Sequence, residues 1–164
     1  MSMDNTFNPD KQHTLKSSFS ISGTGLHTGI MVEMTLHPAN PGFGIQFKRV
    51  DLEESPLIKA DCDLVTDTSR GTTLQVGDAK VSTVEHILAA LVGSGVDNVL
   101  IEVNGPEIPI MDGSAASFVF LLQQAGRAEQ DAPKKFIRVR KSVEVREGEG
   151  ANEKWARLEP CHGF

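Results

Sequence analysis

The chain has 164 residues, enough for one domain or for one domain and part of another. Its 39% hydrophobic and 23% charged content is ordinary for a soluble globular protein, and a net charge of −6 leaves no basic footprint for nucleic acid. No run approaches 18 apolar residues, the polar start MSMDNTFNPDKQ carries no secretory core, and two widely separated cysteines, Cys62 and Cys161, argue for a reducing compartment; together these predict a cytoplasmic protein that does not span a membrane.

Residues 1–12 read as a flexible tail, and Thr14–Ile21 reads as a short strand. Ser22–Gly29 holds three glycines, but it lacks the G-x-x-x-x-G-K-[ST] pattern and a strand follows it. A glycine-rich hairpin turn is therefore predicted, not a phosphate loop. Ile30–His37 and Gly44–Val50 are strands, and Asp51–Pro56 is an acidic loop. A strand opens Leu57–Thr73, which then passes through a polar turn at Asp67–Gly71. Thr72–Val76 and Ala79–Val81 form a hairpin around Gly77-Asp78.

A helix is predicted to start at Ser82, because Val84, Ile87, Leu88 and Leu91 fall on one face. Ser82 and Glu85 have the S-x-x-E spacing of a capping box, and Gly93 and Gly95 offer a stop. Asp97–Val103 is the clearest strand. Asn104-Gly105-Pro106 breaks it, and Glu107–Ser114 is extended and stiffened by prolines. Asp112 or Ser114 caps a second helix from Ala115 to about Ala125, with Phe118, Leu121, Leu122 and Ala125 as its stripe and Gly126 as its C-cap. The polar run 128–135 reads as a linker. Phe136–Val145 and Trp155–Leu158 then read as two strands, which are marginal in water alone and so open a second domain over 136–164.

Three stretches in order carry a family resemblance: Gly23-Thr24-Gly25-Leu26-His27-Thr28-Gly29, Ser82-Thr83-Val84-Glu85-His86, and Glu107-Ile108-Pro109-Ile110-Met111-Asp112-Gly113-Ser114. Together they resemble the UDP-3-O-acyl-N-acetylglucosamine deacetylases, zinc enzymes of lipid A biosynthesis in Gram-negative bacteria. The resemblance implies an α+β fold of two similar domains, each layering helices on sheet, with the active site between them. On that comparison, residues 13–127 are the first domain and 136–164 are the opening strands of the second. The resemblance also makes His86 a zinc ligand and Glu85 the general base. Those types suit the task, since neutral imidazole binds Zn²⁺ and an adjacent carboxylate can take the proton of an attacking water. His27 lies near the site on the same comparison, and Thr68, Ser69 and Arg70 line the substrate cleft, where a guanidinium suits the diphosphate of an acylated UDP-glucosamine.

A catalytic zinc needs about three protein ligands. In the family the other two come from an H-K-x-x-D helix of the second domain, yet His13, His27, His37 and His86 are followed four residues later by Ser17, Met31, Pro41 and Ala90. The remaining ligands are therefore expected outside these residues, and the chain alone is expected to be inactive. Some relatives carry a fused hydroxyacyl-carrier-protein dehydratase at the carboxyl end. The rival reading is a non-catalytic binding or assembly domain, in which Glu85 caps the helix and His86 is inert. A metal-free acid–base pair is a third. On the bland side, Asp112 reads as a cap and Cys62 as a small buried residue.

Overall fold

Alternation builds the strands of the computed structural model, which describes residues 10–161. β1 (Lys11–Leu15) and β2 (Phe19–Thr24) are separated by Lys16–Ser18, so the single strand expected over Thr14–Ile21 is two. β3 (Met31–Pro38) buries Val32, Met34 and Leu36 completely and turns the residues between them outward. β4 (Ile45–Arg49) and β5 (Leu57–Lys59) flank the acidic loop. A 3-10 turn over Cys62–Leu64 leads into β6 (Val65–Asp67), a short strand with no clear sequence signal. β7 (Thr73–Val76) and β8 (Ala79–Val81) form the expected hairpin, with Gly77 at φ +56° in its turn. α1 (Glu85–Gly93), β9 (Val99–Val103) and α2 (Ala116–Ala125) follow, and then β10 (Arg127–Pro133).

Five strands form the main sheet in the order β2-β3-β9-β4-β5, antiparallel except for the parallel β9–β4 pair. β6, β7 and β8 make a second, three-stranded sheet. The two helices contact each other and close the core: Ile87 and Leu91 of α1 and Phe118 and Leu122 of α2 are buried with Phe47, Ile58, Leu74, Val81 and Ile101. The class is α+β, as the sequence indicates.

Most of the run 128–135, expected as a linker, is strand: β10 extends to Pro133. β10 pairs antiparallel with β1, and the half-buried Gln130 joins an amide network. Asn98 Nδ2 donates to the side-chain oxygens of Gln12 and Gln130, and Gln130 Nε2 donates to the Ala39 carbonyl. The polar composition of this segment satisfies buried groups of its neighbours, so it does not mark solvent. The same pairing puts Lys11 and Gln12 in a strand and not in the expected tail; the remainder of that tail, residues 1–9, lies outside the described residues.

The chain divides into two compact units, up to Lys134 and from Lys135 onward. In the second, β11 (Val143–Glu147) and β12 (Lys154–Leu158) form an antiparallel hairpin whose residues are all exposed. The strand expected from Phe136 begins only at Val143; the alternation of Phe136–Arg140 finds no strand to pair with among the described residues. Cys62, read as buried, is exposed, and the Asp63 and Asp61 carboxylates beside it push its thiol pKa up.

Candidate active site

The entry to α1 is built by distant partners, not by a capping box. The Ser82 amide donates to the Pro106 carbonyl, its hydroxyl donates to the same oxygen, and the Ile108 amide returns to the Ser82 carbonyl. Ser82 is thus one rung of a parallel bridge with Glu107. With its amide taken, it has nothing left for Glu85 to cap. The N-cap residue is Val84, in helical conformation and with no side-chain cap. The Glu85 carboxylate turns instead to the 67–72 turn, where Oε2 accepts the Thr72 amide at 2.9 Å. Oε1 has no hydrogen-bond donor among the described residues. The capping reading of Glu85 is therefore corrected.

Between Ser82 and the helix, the chain turns through Thr83 at φ +58°. This is a left-handed conformation that a β-branched residue adopts at a cost of about 1–3 kcal/mol. Three ties hold it there: the Ser82 bridge, the Val84 amide on the Thr72 carbonyl, and the Thr83 hydroxyl, which donates to Glu107 Oε1 at 3.1 Å. The turn aims Glu85 and His86 out of the first turn of α1. Both are half-buried.

Glu107 is fully buried, and its partners are donors from the glycine-rich turn. The His27 amide reaches Oε1 at 3.0 Å, and the Thr28 amide reaches Oε2 at 2.8 Å. Burial pushes this carboxyl up, but the His27 and Thr28 amides and the Thr28 and Thr83 hydroxyls outweigh it and hold the pKa below the ordinary value. Gly25 is required by the same carboxylate, because a Cβ there would stand 2.5 Å from Glu107 Oε2. The glycine-rich turn is confirmed as a turn, closed by the Gly25 amide on the Ile30 carbonyl.

His27 is exposed, and its Nε2–H donates to the Arg70 carbonyl at 2.9 Å. His27 and Arg70 line a cleft of about 180 Å³ together with Asp67, Gly71, Thr73, Lys80, Ser82 and Thr83. Thr68 and Ser69 are exposed in the same turn but are not among the lining residues; Ser69 donates from both its amide and its hydroxyl to Asp67, and these bonds keep the Asp67 pKa low. Glu85 and His86 do not line the cleft either. Glu85 adjoins it at Gly71, where an added Cβ would lie 3.0 Å from Oε1. Sequence reasoning missed Lys80, Thr83 and Glu107. The signal for Glu107 was an isolated acid in an otherwise apolar, proline-stiffened run. Asp112, read as a cap, accepts from Ser114, whose hydroxyl in turn accepts the Ala116 amide at the start of α2.

The His86 ring has no hydrogen-bond partner among the described residues, which fits an imidazole left available as a ligand. Only one three-member group with metal-ligand spacing occurs among the described residues: Asp61, Cys62 and Asp63, all exposed and without His86. Among the described residues, none forms such a group with His86.

The sequence pattern of the LpxC family, UDP-3-O-acyl N-acetylglycosamine deacetylase, matches residues 12–164. The chain belongs to this family. A UDP-3-O-acyl-N-acetylglucosamine deacetylase from Methylococcus capsulatus is 53% identical over 154 residues, covering 94% of this chain and 49% of the relative. The chain thus spans about half the length of that deacetylase. The deacetylase pattern takes in the cleft, the start of α1 and the hairpin of the second unit alike.

Proposed function

We propose that the protein containing this chain hydrolyses the N-acetyl group of a UDP-3-O-acyl-N-acetylglucosamine in lipid A biosynthesis, with zinc as cofactor, in the cytoplasm. The observation that carries the reading is the start of α1: a carboxylate and an imidazole at successive positions, presented by a strained turn, with one carboxylate oxygen and the ring both left without hydrogen-bond partners among the described residues. His86 would hold the metal, and zinc when bound supplies Lewis acidity. Glu85 accepts a proton at Oε1 while Thr72 fixes Oε2, so the base cannot swing away. Arg70 and Lys80 bring two cations to the cleft beside the Asp67 carboxylate, a balance suited to a diphosphate, with His27 on the rim and Thr68 and Ser69 on the same turn. On this reading the other zinc ligands lie outside these 164 residues. Among the described residues no helix is long and apolar enough to cross a membrane.

The test uses the full-length natural protein. It is expected to retain about one zinc and to lose turnover to a chelator, and His86→Ala is expected to lose both metal and turnover; the 164-residue chain alone is expected to show no chelator-sensitive turnover. Full zinc retention by His86→Ala, or chelator-sensitive turnover by the isolated chain, contradicts the assignment. The reading as an assembly domain has lost its main support, since Glu85 does not cap.

A further inference from the structure

A closed circuit of contacts runs around the cleft. Glu107 accepts from the His27 amide; the His27 ring donates to the Arg70 carbonyl; Gly71 links Arg70 to Thr72; the Thr72 amide donates to Glu85; and two residues before Glu85, the Thr83 hydroxyl returns to Glu107. Four separate stretches of chain meet in this circuit, and Glu107 is its most buried member. None of its hydrogen-bond partners among the described residues is a cation. A buried carboxylate without a counter-ion is costly to keep, and an apolar side chain would fill the space without that cost. Gly25 has given up its side chain to the same carboxylate.

We infer that Glu107 is a positioning residue: by holding the His27 turn and the Thr83 hydroxyl at once, it sets the direction in which α1 presents Glu85 and His86. The carboxylate touches neither Glu85 nor His86, so its effect passes through the Thr83 turn. This deepens the deacetylase reading and rests on it for its kinetic consequence. Glutamine at 107 keeps the size but turns an NH₂ toward amide and hydroxyl donors, where an acceptor is needed. Thr83→Val removes one bond of the circuit at constant shape. Thr83→Ser keeps it.

The experiment is carried out in the full-length protein with two readouts. The first is the kcat and KM of each variant, per folded molecule. The second is the His86 imidazole resonance of the metal-free protein, which needs no activity. Glu107→Gln is expected to lower kcat roughly ten- to a hundredfold with KM nearly unchanged, the range seen when groups behind metal ligands are altered. It is also expected to move the His86 resonance. Thr83→Val moves both in the same direction, Thr83→Ser behaves as wild type, and Thr83→Val combined with Glu107→Gln is no worse than Glu107→Gln alone. Should Glu107→Gln fail to fold, Thr83→Val carries the test. A lowered Tm with unchanged kcat, or an unmoved His86 resonance, overturns the inference and leaves Glu107 a plain structural tie. A wild-type protein without metal-dependent turnover defeats the deacetylase reading instead, and the His86 resonance then decides the positioning claim by itself.

Discussion

Glu107 makes the stability of the site dependent on pH, and the sign follows from its partners. Burial raises its pKa, but the donors from His27, Thr28 and Thr83 lower it further, so the folded value lies below that of the unfolded chain, which is about 4.3. A carboxyl depressed on folding contributes stability that is complete above about 4.3 and is lost as pH falls through the folded value. Thermal unfolding of wild type and Glu107→Gln from pH 7 to pH 3 is therefore expected to show a Tm gap that is constant at neutral pH and narrows below about pH 4. A gap that holds its size into acid would mean that the carboxylate charge is not what the donors recognise.

At the scale of the elements, local spacing and long-range pairing give different information. The body of α1 was legible, because Ile87 and Leu91 do line its buried face. Its entry was not. The S-x-x-E spacing is the same whether or not it is used, and here Ser82 is committed to Pro106 and Ile108, while Glu85 reaches back to Thr72. The β7–β8 hairpin and β9 were legible from turn chemistry and alternation. β10 was hidden because its polar side chains serve a buried network centred on Asn98, which is 1% exposed. Asn98 Oδ1 also accepts the Gly44 amide. Asn98→Ala leaves Gln12, Gln130 and Gly44 short of partners, and a loss of about 2 kcal/mol or more is expected in chemical denaturation. A loss below about 0.5 kcal/mol, the ordinary surface range, would show that the network does not hold β1 and β10 to the domain.

At the scale of the whole molecule, the chain carries a domain with a strained, hydrogen-bonded corner and a separate exposed hairpin, and it spans 49% of its curated relative. The family was visible in the three motif stretches. The geometry around them was not, because Glu107, Thr83 and Thr72 act through contacts that no motif spells out. The central claim is that Glu85 is a base and not a cap. Glutamine at 85 can still accept the Thr72 amide, so Glu85→Gln separates charge from structure. In the full-length protein, acetate release from the acylated UDP-sugar is expected to fall by about 10²–10⁴ in kcat while Tm stays within a degree or two of wild type. An unchanged kcat per folded molecule, with a lowered Tm, would contradict the account and return Glu85 to a structural role.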